Sequence, residues 1–315
     1  MNLIFGGSGF VGQNLIANLA TEYQVYDIIK SKNNFHFCDV RNKINIPKNF
    51  TTDSVIYNFA ALCTIPKYEE YEYYETNVKG ALNICDFARA NNINTIIFTS
   101  SISPYGVREA YVDEESVPMP NNEYGISKLI AEHIHLKWHA EAPNDRKLII
   151  LRPGIVFGKN ENGNFTRLYK AMRKGLFFYP GRNDTKKASI YVKDLVKIML
   201  TLQNESTKSL NLVNACYPKA HSIKEICQTI AKVTHVRNPK IIIPGFILIL
   251  FSNIIVFLRK LLKIKFMGIH PDRINKLMIS TNVSGKKLEN IYKIKYSMEE
   301  AISDWFHECD KKGLF

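Results

Sequence analysis

Short apolar runs that stop at glycine or a small polar residue recur along the chain. Stretches with apolar residues at helical spacing separate them. Asn2-Leu3-Ile4-Phe5 stops at Gly6, as a buried strand does, and Leu15, Ile16 and Leu19 then fall at helical spacing. Gln24-Val25-Tyr26-Asp27 reads as a second strand, Phe35–Val40 as a third, Ser54–Ala61 as a fourth and Thr95–Ser101 as a fifth. One helix before the fifth strand carries Asn77-Val78-Lys79-Gly80, and another runs from Tyr124 through Ala131, Ile134 and Trp138. Strands alternating with helices of this length predict right-handed crossovers and a parallel sheet, hence an α/β, doubly wound fold.

The C-terminal third is patterned differently. Asn211-Leu212-Val213 predicts one more strand, and Ser222 predicts the cap of a helix through Ile226, Ile230 and Val233. Ser297 is placed to cap a last amphipathic helix reaching Trp305. Between them, Ile241–Leu258 has no charge, with Ser252 and Asn253 as polar interruptions. No repeats or low-complexity linkers appear. The pattern divides the chain into a nucleotide-binding part, 1–155 with about 186–215, and a smaller C-terminal substrate domain, about 156–185 with 216–315.

The 315 residues suffice for a full core, and 46% apolar with 23% charged content is that of a globular protein. The net charge of +13 changes the picture, because it calls for anionic partners: phosphorylated substrates, nucleic acid or an anionic membrane face. No nucleic-acid recognition module appears, so no nucleic-acid partner is expected. Six cysteines (Cys38, Cys63, Cys85, Cys216, Cys227, Cys309) show no C-x-x-C and no regular spacing, so they predict reduced thiols of a cytoplasmic protein and no metal site. With a strand starting at residue 2, no signal peptide fits.

The first turn carries Gly6-Gly7-Ser8-Gly9-Phe10-Val11-Gly12. Strand, glycine turn and helix together form the first unit of a dinucleotide (Rossmann) fold. Gly6 allows the tight turn, Gly9 lets backbone approach a pyrophosphate, and Gly12 lets the helix pack closely. The pyrophosphate sits on N–H groups at the helix start, around Phe10 and Val11. Asp27, 21 residues after Gly6, is placed to accept from the adenosine ribose hydroxyls and to repel a 2′-phosphate, which favours NAD over NADP. Lys30 and Lys32 nearby soften that preference. Asp39, followed by Val40, is placed to meet the adenine edge, and the small Ala60 and Ala61 let backbone pass the cofactor.

Two further signals carry chemistry. Ser101-Ile102-Ser103-Pro104-Tyr105-Gly106 closes the fifth strand, and Tyr124-Gly125-Ile126-Ser127-Lys128 opens a helix. Tyr124 and Lys128 are four apart and project from one face. A lone tyrosine, with a pKa of about 10, is a poor base near neutral pH. An ammonium one turn away and a cationic nicotinamide would stabilise the phenolate and lower that pKa. Ser101 would hydrogen-bond the same substrate oxygen.

In combination, Gly6–Gly12, Asp27, Asp39-Val40-Arg41, Ala60-Ala61, Asn77, Ser101–Gly106, Tyr124–Lys128, Leu151–Gly158 and Tyr191–Leu195 resemble the extended short-chain dehydrogenase/reductases, in particular their nucleotide-sugar epimerases and dehydratases. Within that group, Ala142–Arg146 followed by Arg152–Gly158 looks most like polyprenyl-diphosphate-linked N-acetylglucosamine 4-epimerases. The resemblance implies Tyr124 as acid/base, Lys128 as its partner and ribose ligand, Ser101 as hydroxyl clamp, Asn77 among the cofactor contacts and Pro153 bordering the nicotinamide. Dehydratases of the group follow the catalytic hydroxyl with Asp-Glu, whereas this chain has Ile102-Ser103, which argues against dehydration. Ser103 joins the substrate contacts. Lys187 stands where the epimerases carry a diphosphate-binding arginine, keeping the charge but losing the bidentate fork, and Arg182, Lys186 or Arg273 would share the task.

The expectation is therefore NAD-dependent C4 epimerisation of an N-acetylhexosamine carried on a nucleotide or polyprenyl diphosphate, in surface polysaccharide synthesis. One rival is a reductase of a 4-keto nucleotide sugar that consumes NADPH. Another is an idle nucleotide-binding scaffold, against which Ser101, Tyr124 and Lys128 together argue. The uncharged run, part of an apolar segment of 241–264, is broken by Pro244, Gly245 and Asn253. It reads as a helix from about Phe246 lying in an anionic membrane surface, at the inner face of the membrane, or as an apolar helix capping the substrate domain. Arg259, Lys260, Lys263 and Lys265 follow it directly, and 259–295 hold ten Lys or Arg against two acids. A homodimer is one option for assembly.

Overall fold

The computed structural model describes residues 1–30, 34–47, 50–63, 68–250, 253 and 277–310. Seven parallel strands form the main sheet: β1 (Asn2–Phe5), β2 (Tyr23–Asp27), β3 (Phe35–Phe37), β4 (Val55–Asn58), β5 (Thr95–Thr99), β6 (Lys147–Pro153) and β7 (Leu210–Ala215). Their order is β3-β2-β1-β4-β5-β6-β7, with the reversal of direction beside β1 that defines a doubly wound sheet.

Every second residue shows why these runs must be strands. Leu3, Phe5, Ile56, Ile96, Phe98, Leu148 and Ile150 pack on one face, under helices α2 (Gly80–Ala90) and α3 (Glu123–Ala140). Ile4, Tyr57, Ile97, Ile149 and Leu151 pack on the other, under α1 (Phe10–Ile16) and α5 (Val192–Glu205). Both faces being apolar, the strands read as unbroken apolar runs and the sheet is covered on both sides.

The third strand stops earlier than its pattern implies, at Phe37. Beyond it the Asp39 carboxylate accepts from the Arg41 backbone N–H at 3.0 Å and pairs with the Arg41 guanidinium at 2.6 Å, which turns the chain. The fourth and fifth strands also end short, at Asn58 and Thr99, so the residues expected to meet ligands lie on loops past the sheet's carboxyl edge.

A second lobe is built from much shorter pieces. Arg108–Val112, Thr281–Val283, Lys186–Lys187 and His221–Ser222 form a four-stranded sheet, while Ile155–Phe157 pairs with Ser189–Tyr191 and Tyr179–Pro180 with Ile242–Ile243. Helices α4 (Asn164–Arg173), α6 (Ile223–Thr234) and α7 (Met298–Asp310) enclose its apolar centre, where Phe157, Phe165, Ile226, Ile230 and Trp305 meet. Ser222 caps α6 and Ser297 caps α7 as expected, each in a reciprocal box with the glutamate three residues on. Residues 245–250 are helical, in agreement with the helix expected from Phe246. The rest of the uncharged run, with Arg259, Lys260, Lys263, Lys265 and Arg273, lies outside the described residues apart from Asn253, as does Lys32.

Candidate active site

The chemical candidates meet where β5 runs out against the first turns of α3. Asn122 caps α3 by accepting from the Gly125 backbone N–H at 3.1 Å. The helix start is pressed onto the preceding turn so tightly that a Cβ on Gly125 would stand 2.7 Å from the Ser103 carbonyl oxygen. That contact brings Tyr124 over the strand end. Its ring lies 6.5 Å from that of Tyr73, and the Ser101 side chain hydrogen-bonds it. Ser101 Oγ also donates to Ser103 Oγ at 3.1 Å and accepts from the Ser103 backbone N–H. Ser101, Ser103, Tyr124 and Lys128 are thus brought together.

Lys128 is only 3% exposed, with Nζ donating to the Thr99 carbonyl at 2.8 Å and lying 4.7 Å from the centre of the Phe98 ring. Burial pulls its pKa down to about 8. The expected lowering of the Tyr124 pKa needs both Lys128 and a cationic nicotinamide. With the protein groups alone, burial drives the phenol well above its ordinary value, and the Ser101 hydrogen bond only partly opposes that rise.

The dinucleotide candidates line the adjoining edge. Gly6 has φ +75°, and a Cβ there would stand 2.6 Å from the Ala60 backbone nitrogen, so only glycine lets the β1 turn and the end of β4 approach. A Cβ on Gly12 would stand 2.6 Å from Gly7 Cα, so Gly12 closes the loop on itself rather than on the sheet. Gly9 is the N-cap of α1, with no side-chain cap and no acid in the first turn, which leaves the Phe10–Val11 end open to an anion. The Asp27 carboxylate accepts from the backbone N–H groups of Ser8 and Ile29, both at 3.0 Å, which ties the glycine loop to the end of β2. Asp39 is paired with Arg41, which holds its carboxyl below the usual range, and Val40 is buried beneath Gly80. Asn77 is buried in a π-helical turn (Tyr74–Lys79). Its amide grips the Leu62 backbone at 2.8 and 3.2 Å and donates to Ser127 Oγ at 2.9 Å. Asn77 therefore fixes the loop after Ala60 and Ala61 onto α3. Pro153 ends β6, and its carbonyl accepts from the Ile102 backbone N–H at 3.1 Å.

Residues 2–216 match the model of the NAD dependent epimerase/dehydratase family. The chain belongs to that family. NAD is the cofactor that membership assigns, and the glycine cradle, which a Cβ at Gly6 or Gly12 would fill, fits a dinucleotide. An N-acetyl-alpha-D-glucosaminyl-diphospho-ditrans,octacis-undecaprenol 4-epimerase from Escherichia coli O157:H7 is 30% identical over 202 residues, which span 62% of this chain and 61% of that relative. The match thus leaves more than a third of that relative's length uncovered. A GDP-6-deoxy-D-talose 4-dehydrogenase from Aggregatibacter actinomycetemcomitans is 26% identical over 74% of this chain and 79% of its own length. Among solved structures, MoeE5 in complex with UDP-glucose and NAD superposes with a TM-score of 0.78 at 19% identity, covering 100% of this chain and 99% of that one, which establishes the shared fold.

In this family member the second-lobe candidates are differently disposed. Lys187 is buried, with Nζ donating to the Ile279 carbonyl at 2.8 Å, and burial pulls its pKa to about 8. Arg182 is exposed and engaged by two acids, Asp184 at 2.5 Å and Glu109 at 3.3 Å. Glu109, which Arg182 pairs with, is also a charged neighbour of Lys187, so the two candidates flank one carboxylate. Sequence reasoning missed three buried residues beneath the site: Ser100, Glu132 and Arg152, linked by hydrogen bonds of 2.5 to 2.9 Å. Glu132 follows Lys128 by four residues, and the stripe Tyr124, Lys128, Glu132 was the signal that could have found it.

Proposed function

We propose that the chain is an NAD-dependent 4-epimerase of an N-acetylated hexosamine carried on a diphosphate. The observation that carries this reading is Tyr124 held between Ser101 and the Lys128 turn of α3, at the same sheet edge as the glycine loop. The match to the undecaprenol-linked relative supports the N-acetylhexosamine and the lipid carrier. Bound NAD supplies a hydride acceptor and donor. Tyr124 takes the proton of the sugar's 4-hydroxyl and returns it, Ser101 holds that oxygen, and Lys128 orients the ribose and offsets the phenolate. Asp27, already an acceptor for two N–H groups, presents a negative edge that disfavours a 2′-phosphate. Lys187 and Arg182 are the candidates for the sugar diphosphate, Lys187 after turning from Ile279.

The test is product analysis after incubation with UDP-linked and polyprenyl-linked N-acetylglucosamine, with mass spectrometry of cofactor released from the purified protein. Epimerised product and NAD are expected. NADP(H) with consumption of a 4-keto sugar instead would install the reductase reading.

A lipid-borne substrate also supports attachment to an anionic membrane surface. Among the described residues no helix is long and apolar enough to cross a membrane, while Phe246 and Leu250 are 73% and 59% exposed. Co-sedimentation with anionic vesicles, stronger at low salt, is expected. Failure to pellet at low salt removes this part of the reading.

A further inference from the structure

Three consecutive residues at the carboxyl end of β5 each engage a different turn of α3. Ser101 hydrogen-bonds Tyr124, the Thr99 carbonyl accepts from Lys128 Nζ at 2.8 Å, and Ser100 Oγ donates to Glu132 Oε1 at 2.5 Å. Since Tyr124, Lys128 and Glu132 are four apart, one face of the helix is fastened along the strand end. Ser100 is 3% exposed and Glu132 1%, and a carboxylate so buried needs a counter-charge. Arg152 on β6 provides it through two bonds, at 2.9 and 2.6 Å. Arg152 is fixed in turn, its guanidinium 4.7 Å from the centre of the Tyr105 ring, while the Tyr105 hydroxyl donates to Asn214 Oδ1 at 2.9 Å.

We propose that Glu132 is the positioning residue of the Tyr124–Lys128 pair. Through Ser100 it sets the register of Ser101 against Tyr124, and its carboxylate is held one helix turn beyond Lys128 on the same face of α3. The inference rests on the reading of Tyr124 and Lys128 as the chemical pair. The ionisable groups around Lys128 are Cys63 on the loop after β4, Tyr124, Glu132 and His135 on α3, with Tyr73 beside Tyr124 and Arg152 behind Glu132. Burial strips charge from Lys128, and Cys63 and then Glu132 act against that loss. With the carboxylate removed and Arg152 left behind, Lys128 should release its proton at lower pH, and the Tyr124 phenolate should be favoured.

Two variants separate the two halves of the proposal. Ser100→Ala leaves the Glu132–Arg152 pair intact. It should lower kcat by about tenfold to a hundredfold with KM, cofactor content and Tm little changed, as a small misplacement does. Glu132→Gln should shift the whole kcat–pH profile toward acid. It should also lower the midpoint of the Lys128 13Cε titration by NMR, a resonance identified by its loss in Lys128→Met. The NMR midpoint needs no turnover, so a wild-type protein inactive on both sugar donors would sink the functional reading while leaving this measurement decisive. Wild-type kcat in Ser100→Ala would overturn the register role. An unmoved Lys128 midpoint in folded Glu132→Gln would overturn the charge role. Should Glu132→Gln fail to fold, the Lys128 midpoint in Glu132→Gln/Arg152→Lys decides, since that variant removes the anion and keeps the cation behind it, and a midpoint equal to wild type there overturns the charge role.

Discussion

The two lobes are held together by different means. In the sheet lobe, Leu3, Ile56, Ile96, Phe98 and Ile150 meet other apolar side chains, so each strand's own pattern specifies it. In the second lobe, strands of two or three residues are fastened by side chains gripping distant backbone. Glu109 accepts from the Ser280 backbone N–H at 3.0 Å across 171 positions, and where α5 meets this lobe Asp194 accepts from the backbone N–H groups of Lys295 and Tyr296 at 2.9 and 3.2 Å. The first kind of bond is spread over many apolar contacts. The second is concentrated in a few polar atoms. The chemical residues sit at the edge of the first kind.

The largest effect expected should touch neither lobe. Removing the acid/base Tyr124→Phe should cost on the order of 10²–10⁴ in rate. The Tm and bound cofactor should be unchanged, since the phenol's described bond is to Ser101 alone among protein side chains. Wild-type turnover in that variant would remove Tyr124 from the mechanism and leave the sheet edge without a base.

The same contrast explains what could be read from the chain. The first five strands, the glycine turn and the Tyr124–Lys128 helix are local patterns, unbroken apolar runs that stop at glycine or polar residues and a spacing of four, so they are legible in the sequence, although the third, fourth and fifth strands end two or three residues before those runs do. The two-residue strands Lys186–Lys187 and Tyr179–Pro180 have no period to detect, and their pairing partners His221–Ser222, Thr281 and Ile242–Ile243 lie tens of residues away. The rise that burial imposes on the Tyr124 phenol is not legible in the sequence, because charge spacing can be read there and depth of burial cannot. Asn77 was flagged by position, whereas its grip on Leu62 required the fold.

His135 is the exception that can break the comparison, because it is a titratable ring fully buried in the apolar lobe, stacked 4.1 Å from Phe98. Burial pushes its pKa down to about 4, against about 6.5 in an unfolded chain. Between those values the unfolded state holds more protons, so stability falls as pH falls. Above pH 6.5 the ring costs nothing. Below about pH 4 the full loss is reached, about 3 kcal/mol by the difference in pKa. Urea midpoints at pH 7 and 4.5 should therefore differ more for the native chain than for His135→Phe. Equal slopes would show that acid sensitivity belongs to other groups and that the sheet lobe is as uniform as its pattern suggests.

The smallest effects should sharpen the description of the second lobe by separating polar bonds that hold it from those that decorate it. Asp194 is fully buried and its carboxylate also accepts from the Tyr292 hydroxyl at 2.9 Å, so Asp194→Ala strands two backbone N–H groups and a phenol. Stranded buried donors cost about 1–3 kcal/mol each before relaxation, so a clear fall in Tm is expected, with the Lys295–Tyr296 segment becoming open to proteolysis. Lys232 bridges α6 to Glu299 on α7 at 2.7 Å, yet the two side chains are 68% and 51% exposed. A pair so wet is worth under about 1 kcal/mol and is screened by salt. Beneath it, buried Ile230 and Trp305 join the same two helices through apolar contact. Lys232→Ala should thus leave the Tm nearly unchanged at 0.15 M salt, where Asp194→Ala does not. If Lys232→Ala instead proved the more damaging of the two, length of reach rather than burial would decide which polar bonds matter here, and the contrast between the lobes would have to be redrawn.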